Sequence, residues 1–520
     1  MKLRSYLGGH WVQGAGDGTA LIDPVSGAIL ATATTDAVDM AGAVAFARDV
    51  GGPNLRAHTY RERARMLSAI ADLLKSNYGS YKETARRNSG NTSADADMDI
   101  GGAIFTLKYF ARLGDKLGDV RHLADGEVET LSRDGDFQAI HIRAPRQGVA
   151  VHINAFNFPS WGMWEKAAVS LLSGAPTITK PATATALLAH DMVRDVVKAG
   201  VVPHGALSIV TGNVGNLLDH LTEQDVIAFT GSSGTARHLR THRAVIDSGA
   251  RLTVEADSIN ASMLGPDAGA DSPEFELFVK EVVREMTFKA GQKCTAIRRA
   301  FVPAYVLFAV RDALAEKISA VAVGDPRNET VRMGPLVNKR QQNDVLSAIE
   351  ELASEAEHVT GELAGFAPVD ADPDIACFVP PTLLMCKTPG EARKAHDIEA
   401  FGPVCVLIPY ASTQSAWDMI ARGKGCLAAS LFTGDMRFAS DSVVALAPWN
   451  GRMMVVGEQI GRSHTGHGNV MPMCVHGGPG RAGGGEELGG LRGLDFYHQR
   501  TAIQGNAALI SELANIPRSA

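Results

Sequence analysis

Apolar residues recur at two different spacings along the chain, and each spacing predicts a different element. Across residues 36–85 they lie three and four positions apart, which predicts amphipathic helices at 37–50 and 60–77. Residues 137–142 alternate apolar and polar like a half-exposed strand, whereas 148–153 is apolar enough for a buried strand. We therefore expect a helical N-terminal part that leads into a sheet.

From residue 148 to residue 257, short apolar runs alternate with amphipathic stretches. These predict strands at 175–180, 206–210 and 226–230 and helices at 183–199 and 214–221. Such a βαβ alternation is typical of a parallel sheet covered by helices on both faces. A second cycle follows in 274–440 and begins with a predicted helix at 275–290. The pattern indicates an α/β protein with two α/β domains.

Composition excludes several classes of protein. The chain has 520 residues, 45% of them hydrophobic and 21% charged, with a net charge of −7. These values fit a globular protein of two or three domains and argue against nucleic acid or an anionic membrane as a partner. No apolar run of about 18 residues would span a bilayer, and the first residues lack the apolar core of a signal peptide. The six cysteines follow no disulfide framework, so we expect a cytoplasmic protein with reduced thiols.

One cysteine and one glutamate provide the groups needed to oxidise an aldehyde to an acid. Cys294 lies in Gly-Gln-Lys-Cys-Thr at residues 291–295, and Glu255 precedes it in Thr-Val-Glu-Ala-Asp at 253–257. A thiolate adds to an aldehyde carbonyl, and a nearby carboxylate then activates water against the resulting thioester. The chemistry requires the two side chains to meet in the fold.

Three further stretches are compatible with a nucleotide and an oxyanion, although each has an ordinary structural interpretation as well. Residues 229–234 form a strand-to-helix turn, where free N–H groups favour a phosphate, but the full GxGxxG pattern is missing. A less usual dinucleotide site is therefore the better interpretation. Asn157 is either a plain turn residue or an oxyanion donor. Lys180 is either a solvated charge or a ligand of ribose or phosphate.

Histidines and a cysteine near the C-terminal end resemble metal ligands in type but not in spacing. His464, His467, Cys474 and His476 fit no standard zinc site, and we interpret them as loop residues with structural or substrate contacts, so no metal is predicted. Residues 477–485 are rich in glycine, but no Gly-Lys-Ser/Thr follows, which excludes a P-loop.

Taken in order, the motifs resemble those of the aldehyde dehydrogenase superfamily. Asn-Phe-Pro at 157–159, Lys-Pro-Ala at 180–182, Phe-Thr-Gly-Ser at 229–232, Glu255, Cys294 and Glu-Ala-Phe-Gly-Pro-Val at 399–404 follow one another along nearly the whole chain. The resemblance implies the aldehyde dehydrogenase fold, which is α/β: a Rossmann-like parallel-sheet cofactor domain, an α/β catalytic domain and a small β oligomerisation hairpin. The implied boundaries are 1–120 and 146–257 for the NADP-binding domain, 258–460 for the catalytic domain, and 121–145 and 488–520 for the oligomerisation element.

The resemblance also implies roles for individual residues. Cys294 would be the nucleophile and Glu255 the general base, and Asn157 would donate to the oxyanion beside the Cys294 N–H. Lys166 and Glu487 match positions that relay protons from the base. The implied cofactor-binding residues are Ile153, Lys180, Ala182, Thr183, Gly212, Gly231, Ser232, Glu399 and Phe401.

Thr183 departs from the family pattern in a way that bears on the cofactor. Many members that prefer NAD have Lys-Pro-x-Glu, whose glutamate binds the adenosine ribose. A carboxylate would repel a 2′-phosphate, whereas a hydroxyl can donate a hydrogen bond to it. The sequence therefore predicts NADP. The motif Glu-Ala-Asp-Ser at 255–258 is also unusual for the family.

Residues 291–299, 465–473 and 477–487 resemble the branch of the family that oxidises CoA-linked semialdehydes made by ring cleavage in aerobic aromatic degradation. The implied substrate is 3,4-dehydroadipyl-CoA semialdehyde of the benzoyl-CoA pathway. The alternatives are 3-oxo-5,6-dehydrosuberyl-CoA semialdehyde of phenylacetate breakdown and a general aldehyde. A fused phenylacetate enzyme carries a hydratase domain after the dehydrogenase; this sequence ends at Ala520 without one, so the stand-alone type is expected.

Three further expectations concern free CoA, the CoA phosphates and the oligomeric state. Acyl transfer to free CoA is disfavoured because family members that perform it generally lack the glutamate. Arg298, Arg299 and Arg481 are candidates for contact with the CoA phosphates, although exposed arginines usually have no such role. We expect a homodimer, from the resemblance alone.

Overall fold

The computed structural model describes residues 1–514 and 518–519. Its strands, in chain order, are β1 Ser5–Leu7, β2 His10–Val12, β3 Thr19–Ile22, β4 Ile29–Ala33, β5 Leu123–Thr130, β6 Phe137–Pro145, β7 Ala150–Ile153, β8 Thr177–Lys180, β9 Leu207–Ile209, β10 Val226–Thr230, β11 Arg251–Glu255, β12 Asn260–Leu264, β13 Ile297–Pro303, β14 Ala356–His358, β15 Thr382–Cys386, β16 Val404–Tyr410, β17 Cys426–Phe432, β18 Asn450–Val456, β19 Val475–Gly477, β20 Glu486–Leu488, β21 His498–Asn506 and β22 Arg518–Ser519.

The α-helices alternate with these strands. They are α1 Met40–Phe46, α2 Gly52–Arg56, α3 Tyr60–Ser76, α4 Tyr78–Ser89, α5 Ser93–Leu117, α6 Trp161–Ser173, α7 Ala186–Ala199, α8 Ser233–Arg240, α9 Arg243–Ile246, α10 Pro273–Thr287, α11 Leu307–Ser319, α12 Lys339–Ala353, α13 Lys394–Asp397, α14 Thr413–Ala421, α15 Met436–Leu446 and α16 Ala507–Ala514. Shorter turns include the π turn Ala47–Gly51 and the 3-10 turns Thr183–Thr185, Leu217–His220 and Phe288–Gly291.

The first large sheet has the strand order β11-β10-β7-β8-β9-β1-β2. The strands from β11 to β9 run parallel, and β1 joins β9 in the antiparallel direction. The parallel strands are apolar and buried on both faces because α3, α5, α6 and α7 pack against one side and α1 and α8 against the other. This is the Rossmann-like sheet that the sequence predicts.

The second large sheet has the order β14-β15-β16-β13-β12-β17-β18 and is parallel apart from β14. Its apolar core lies between the sheet and helices on its two faces, including α10, α11, α12, α14 and α15. The α/β fold class is confirmed. Among the described residues, no helix combines the length and the apolar character needed to cross a membrane.

A third sheet has the order β21-β6-β5-β22 and contains the predicted oligomerisation hairpin, β5 and β6. Strand β21 pairs with β6 along its whole length, from His498 opposite Pro145 to Asn506 opposite Phe137. Residues 515–517 and 520 of the predicted element lie outside the described residues. The domain boundaries and the role of this sheet in assembly stay predictions.

Capping residues explain where the long helices begin. The observed helix starts agree with those predicted from the apolar periodicity. Helix α3 begins after Thr59, which forms a capping box with Glu62, and covers nearly the predicted range. The predicted helix at 275–290 ends early, at Thr287, because the residues that follow have left-handed backbone. The helix predicted at 214–221 is a single 3-10 turn.

Candidate active site

Four parallel strands of the first sheet end at the same edge, where their last residues come together. In the register, Thr230 lies opposite Glu255, and Ile153 lies opposite Lys180. Ligands of open parallel sheets bind outside the carboxyl ends of the strands. The strand ends therefore bring the predicted base and predicted cofactor residues to one crevice.

Cys294 reaches this crevice on a tight loop that follows α10. Lys289, Ala290 and Gly291 have positive φ angles of 52°, 50° and 66°, so the chain reverses direction over three residues. Gly291 is required for two reasons: its left-handed backbone, and an approach so close that a Cβ would lie 2.1 Å from the carbonyl oxygen of Gly402. The loop thus stores backbone strain next to the predicted nucleophile.

Buried polar side chains hold this loop in place. Arg298 is only 4% exposed and donates to the carbonyl oxygens of Gly402 (2.7 Å) and Gly291 (2.8 Å). Asn260 Nδ2 donates to the Cys294 carbonyl oxygen at 2.8 Å, and a carboxylate oxygen of Asp95 accepts the N–H of Lys289 at 2.8 Å. The loop is therefore fixed from two strands of the second sheet, β12 and β13, and from α5.

The burial of two arginines corrects one interpretation of the sequence. Arg298 is committed to the loop, and Arg299 is fully buried and donates to the carbonyl oxygens of Ile259 and Met419, each at 3.0 Å. Both guanidinium groups are buried and donate to backbone carbonyl oxygens inside the protein, so they cannot meet the phosphates of CoA, and that expectation is wrong for them. Arg481 is partly exposed and donates to the Asp397 carbonyl oxygen at 2.6 Å.

Cys294, Glu255 and His476 form a compact cluster. The Cys294 sulfur, a Glu255 carboxylate oxygen and a His476 ring nitrogen all lie within 4.8 Å of one another. His476 Nε2 is 2.9 Å from Glu255 Oε2, and both side chains are almost fully buried. Thr230 Oγ1 donates to the same oxygen at 3.4 Å. Among the described residues, the buried Glu255 Oε1 has no hydrogen-bond partner.

The electrostatics of the cluster follow from burial and from the charges inside it. Burial raises the pKa of the Cys294 thiol well above its usual value, and the Glu255 carboxylate raises it further. Burial also acts to raise the pKa of Glu255, but His476, Lys166 and the Cys294 thiol overcome it and lower that pKa to about 2. Burial acts to lower the pKa of His476, yet the Glu255 carboxylate raises it above its usual value. The cluster thus holds a carboxylate and a protonated thiol, and the contact with Glu255 favours the protonated form of His476.

Next to this cluster lies a second buried charge group. Lys166 on α6 has its Nζ 3.1 Å from Glu487 Oε2 and 3.6 Å from Glu165 Oε1. Burial acts to lower the pKa of Lys166, but the two carboxyl groups raise it above its usual value. Burial raises the pKa of Glu165 to about 7. The predicted pair Lys166 and Glu487 is therefore in contact, and Glu165 joins it.

Two cavities meet at the cysteine. The smaller, about 40 Å³, is enclosed by Phe158, Trp161, Glu165, Lys166, Val470 and His476. The larger, about 510 Å³, opens along the edge of the first sheet. Both cavities are lined by Asn154, Ala155, Asn157, Thr230, Glu255 and Cys294. Asn157 is 7% exposed, and its side-chain amide has no partner among the described residues.

Most predicted cofactor residues line the larger cavity. These are Ile153, Lys180, Ala182, Gly231, Ser232, Glu399 and Phe401. Thr183 and Gly212 are not among its lining residues; Thr183 Oγ1 instead donates to the Gly212 carbonyl oxygen at 3.2 Å. Within the described part of the chain, Lys180 has no carboxylate partner, and burial lowers its pKa. An unpaired lysine ammonium group in an open cavity is suited to bind an anionic dinucleotide.

Sequence reasoning missed several residues of the site. It treated His476 as a loop histidine, and it overlooked Glu165 and Asp257, whose Oδ1 accepts the Ser233 N–H at 3.0 Å. Side chains at the start of α12, including Arg340 and Gln341, also line the larger cavity. Glu165 lies next to Lys166 and Asp257 two residues after Glu255, whereas Arg340 and Gln341 lie far from any motif. In neither case does a local pattern indicate which side chains contact the site.

The candidate zinc ligands do not come together as a set. His467 Nδ1 is hydrogen-bonded to Ser430 Oγ at 2.8 Å, whereas His476 is paired with Glu255. In the described residues, the group whose ligand atoms could share an ion is the catalytic cluster itself. The absence of a structural metal stays a prediction.

Known proteins share both the sequence and the fold of this chain. A profile of the aldehyde dehydrogenase family matches residues 11–503. The 3,4-dehydroadipyl-CoA semialdehyde dehydrogenase of Aromatoleum evansii is 52% identical over 92% of this chain and 93% of its own length. The betaine aldehyde dehydrogenase of Vibrio vulnificus strain CMCP6 is 29% identical over 83% of the chain and 85% of its own.

Solved structures agree at the level of the fold. The NAD+ complex of an aldehyde dehydrogenase from Bacillus cereus superposes with a TM-score of 0.82 at 22% identity, covering 98% of this chain and 97% of that one. Sequence profile, close relative and fold all lead to one conclusion: the chain belongs to the aldehyde dehydrogenase family, whose enzymes oxidise aldehydes with a nicotinamide cofactor.

Proposed function

We propose that the enzyme oxidises a CoA-linked semialdehyde, 3,4-dehydroadipyl-CoA semialdehyde, to the corresponding acid with NADP. The main support for this substrate is the 52% sequence identity to the Aromatoleum evansii enzyme, which is named for that reaction. The complete cluster of Cys294, Glu255 and Asn157 supports the chemistry. The proposed setting is aerobic degradation of aromatic compounds.

Each residue of the cluster has a defined task in this proposal. The Cys294 thiol passes its proton to the Glu255 carboxylate, and from there to Glu487, as its sulfur bonds to the aldehyde carbon. The Asn157 amide together with the Cys294 N–H stabilises the oxygen as it becomes negative. A nicotinamide held in the larger cavity would supply the hydride acceptor for oxidation of the group held on Cys294 to a thioester. Glu255 then takes a proton from water, which attacks the thioester and releases the acid.

The remaining predicted residues would hold the cofactor and move protons. Lys180, Ser232, Glu399 and Phe401 line the larger cavity and would contact the dinucleotide. Lys166 and Glu487 form a buried pair beside Glu255 and would carry its proton away. The small cavity, with Phe158, Trp161 and Val470, would hold the aldehyde end of an unsaturated chain.

The substrate proposal is tested with one six-carbon semialdehyde, offered as its CoA thioester and as the free acid. We expect kcat/KM for the thioester to be at least a hundredfold higher, which is about 2.7 kcal/mol of transition-state binding. The measurement is the initial rate of NADPH formation, with free CoA added as a competitor in parallel. Equal rates would contradict the CoA proposal and indicate a general aldehyde dehydrogenase. A preference for the eight-carbon phenylacetate-type thioester would select that alternative instead.

The cofactor proposal is tested at Thr183. Replacement by glutamate places a carboxylate where the 2′-phosphate of NADP is expected, so kcat/KM for NADP should fall about a hundredfold while that for NAD holds or rises. Thr183→Gln, which has the same shape without the charge, is the matched control and should change the ratio by much less. An unchanged NADP to NAD ratio in Thr183→Glu would contradict the assignment of this position.

The assembly proposal is a homodimer in which the third sheet contributes to the interface. Exposed apolar side chains on or beside this sheet are Phe137 on β6, Leu131 just after β5 and Leu509 on α16. Exposed apolar side chains on a small sheet favour a protein partner. The cytoplasmic location stays a prediction from the sequence.

A further inference from the structure

The buried histidine beside the general base is not used by the mechanism above. His476 lies on β19, which pairs with β20 so that His476 is directly opposite Glu487. Opposed residues in an antiparallel pair point to the same face. The short ribbon therefore presents both the proton-relay carboxylate and His476 to the site, with His476 in direct contact with Glu255.

The two oxygens of Glu255 have different surroundings. Oε2 lies 2.9 Å from His476 Nε2 and 3.4 Å from Thr230 Oγ1, whereas the buried Oε1 has no hydrogen-bond partner in the described part of the chain. A buried carboxylate oxygen without a donor is costly unless a ligand or water fills the place. One oxygen is thus held and the other is available to the cavity.

We propose that His476 is a positioning residue, whose ring Nε2–H holds Oε2 of Glu255 and leaves Oε1 free to take the proton from the attacking water. This inference rests on the proposed role of Glu255 as the base. His476 itself is not placed to act as the base, because its Nε2 is engaged by the Glu255 carboxylate at 2.9 Å.

The charge of His476 has a second effect, on the ionisation of Glu255. An opposite charge in contact with a carboxylate lowers its pKa by about 1–3 units, in opposition to burial. The other titratable or charged groups that face this pair are Cys294, Glu165, Lys166, Arg452 and Glu487. Of these, Lys166 and the Cys294 thiol also lower the pKa of Glu255, but each lowers it less than His476 does. Removing the imidazolium should therefore raise the pKa of the base.

Two substitutions separate the hydrogen bond from the charge. His476→Phe removes both, and His476→Gln keeps a donor but no charge. The acid limb of the deacylation rate marks the protonation of Glu255, so a raised pKa moves this limb to higher pH. We expect it to move up by about 1–3 pH units in both variants. We expect the high-pH plateau to fall at least about tenfold in His476→Phe and to recover to within about threefold of wild type in His476→Gln.

The measurement is stopped-flow NADPH formation with propanal, with pH jumps from about pH 3.5 to pH 9 so that the raised acid limb falls within the range, and it separates acylation as a burst from deacylation as the steady rate. His476→Phe should show a burst of about one NADPH per active site. His358→Gln, which changes an exposed histidine on β14, is the control and should match wild type. An unchanged limb and plateau in His476→Phe would overturn the inference, as would an equal loss in both phases at every pH, which indicates only structural damage.

Infrared difference spectroscopy detects the ionisation of Glu255 without turnover, so its result does not depend on the proposed oxidation. The wild-type pKa of Glu255 is about 2, so the infrared difference between wild type and Glu255→Gln should show an ionised carboxylate down to about pH 4. In the His476→Phe background the same difference, followed from about pH 7 downwards, should show the carboxyl becoming protonated about 1–3 pH units higher than in wild type. The same protonation midpoint in both backgrounds would refute the role of His476. A wild-type enzyme that forms no NADPH with any aldehyde would instead refute the oxidation itself.

Discussion

Replacement of Cys294 by serine is expected to lower kcat/KM by a factor on the order of 10⁴ or more, because a serine hydroxyl does not ionise beside a buried carboxylate. The other predicted residues cannot compensate. Asn157 and Glu255 act on an adduct that only the sulfur forms, so without it they have no intermediate to stabilise. Neither an NADPH burst nor a covalent acyl-enzyme should appear.

The structure supplies a matched control for this result. Cys474 is exposed and lies outside both cavities, so Cys474→Ser should keep its activity within about twofold of wild type. NADP binding to Cys294→Ser, measured by calorimetry, should be retained because the cavity that would hold the dinucleotide is large and lined mainly by other residues. Turnover by Cys294→Ser at more than about a hundredth of the wild-type rate would exclude Cys294 as the nucleophile.

Glu255→Gln is expected to stop the reaction at a different point. The steady rate should fall about 10²–10⁴-fold, the usual contribution of a general base, while the first turnover still yields about one NADPH per active site. Glutamine has the shape of glutamate and can still accept a hydrogen bond from His476, but it cannot take a proton. The acyl group should therefore remain on Cys294.

Mass spectrometry of the quenched protein is the direct measurement. It should show the mass of the acyl group on the peptide that contains Cys294 in Glu255→Gln and much less of it in wild type. Glu281→Gln, at a buried glutamate on α10 whose Oε1 accepts the His467 N–H and which lines neither cavity, controls for loss of a buried carboxylate. Normal steady turnover by Glu255→Gln would mean that another group activates the water.

Sequence patterns predicted those parts of the site that depend on regular structure. Short apolar runs predicted β7, β8 and β10, whereas β11 was not predicted as a strand. Parallel strands that share an edge bring Ile153, Lys180 and Thr230 together, and β11 adds Glu255. Cys294 was predicted from its motif, and the structure places it against Glu255. Their catalytic roles stay predictions until the variants are measured.

The parts that the sequence could not predict depend on long-range packing. His476 contacts Glu255 only because a glycine-rich segment folds back as β19 and β20 beside the first sheet. Arg298 and Arg299 were candidates for contact with the CoA phosphates, and arginine is seldom fully buried. Backbone carbonyl oxygens of loops remote in sequence satisfy their donors instead, and no local pattern records those partners.

The meeting of two cavities at six shared residues has a consequence for how the enzyme can be altered. Phe158, Trp161 and Val470 line only the small cavity, whereas Lys180, Ser232 and Phe401 line only the large one. Substitutions in the first set can therefore change the accepted aldehyde with little effect on the electron acceptor, and substitutions in the second can do the reverse. Natural or laboratory selection can therefore change the aldehyde cavity and the cofactor cavity independently. The six shared residues keep the reaction itself the same in every variant.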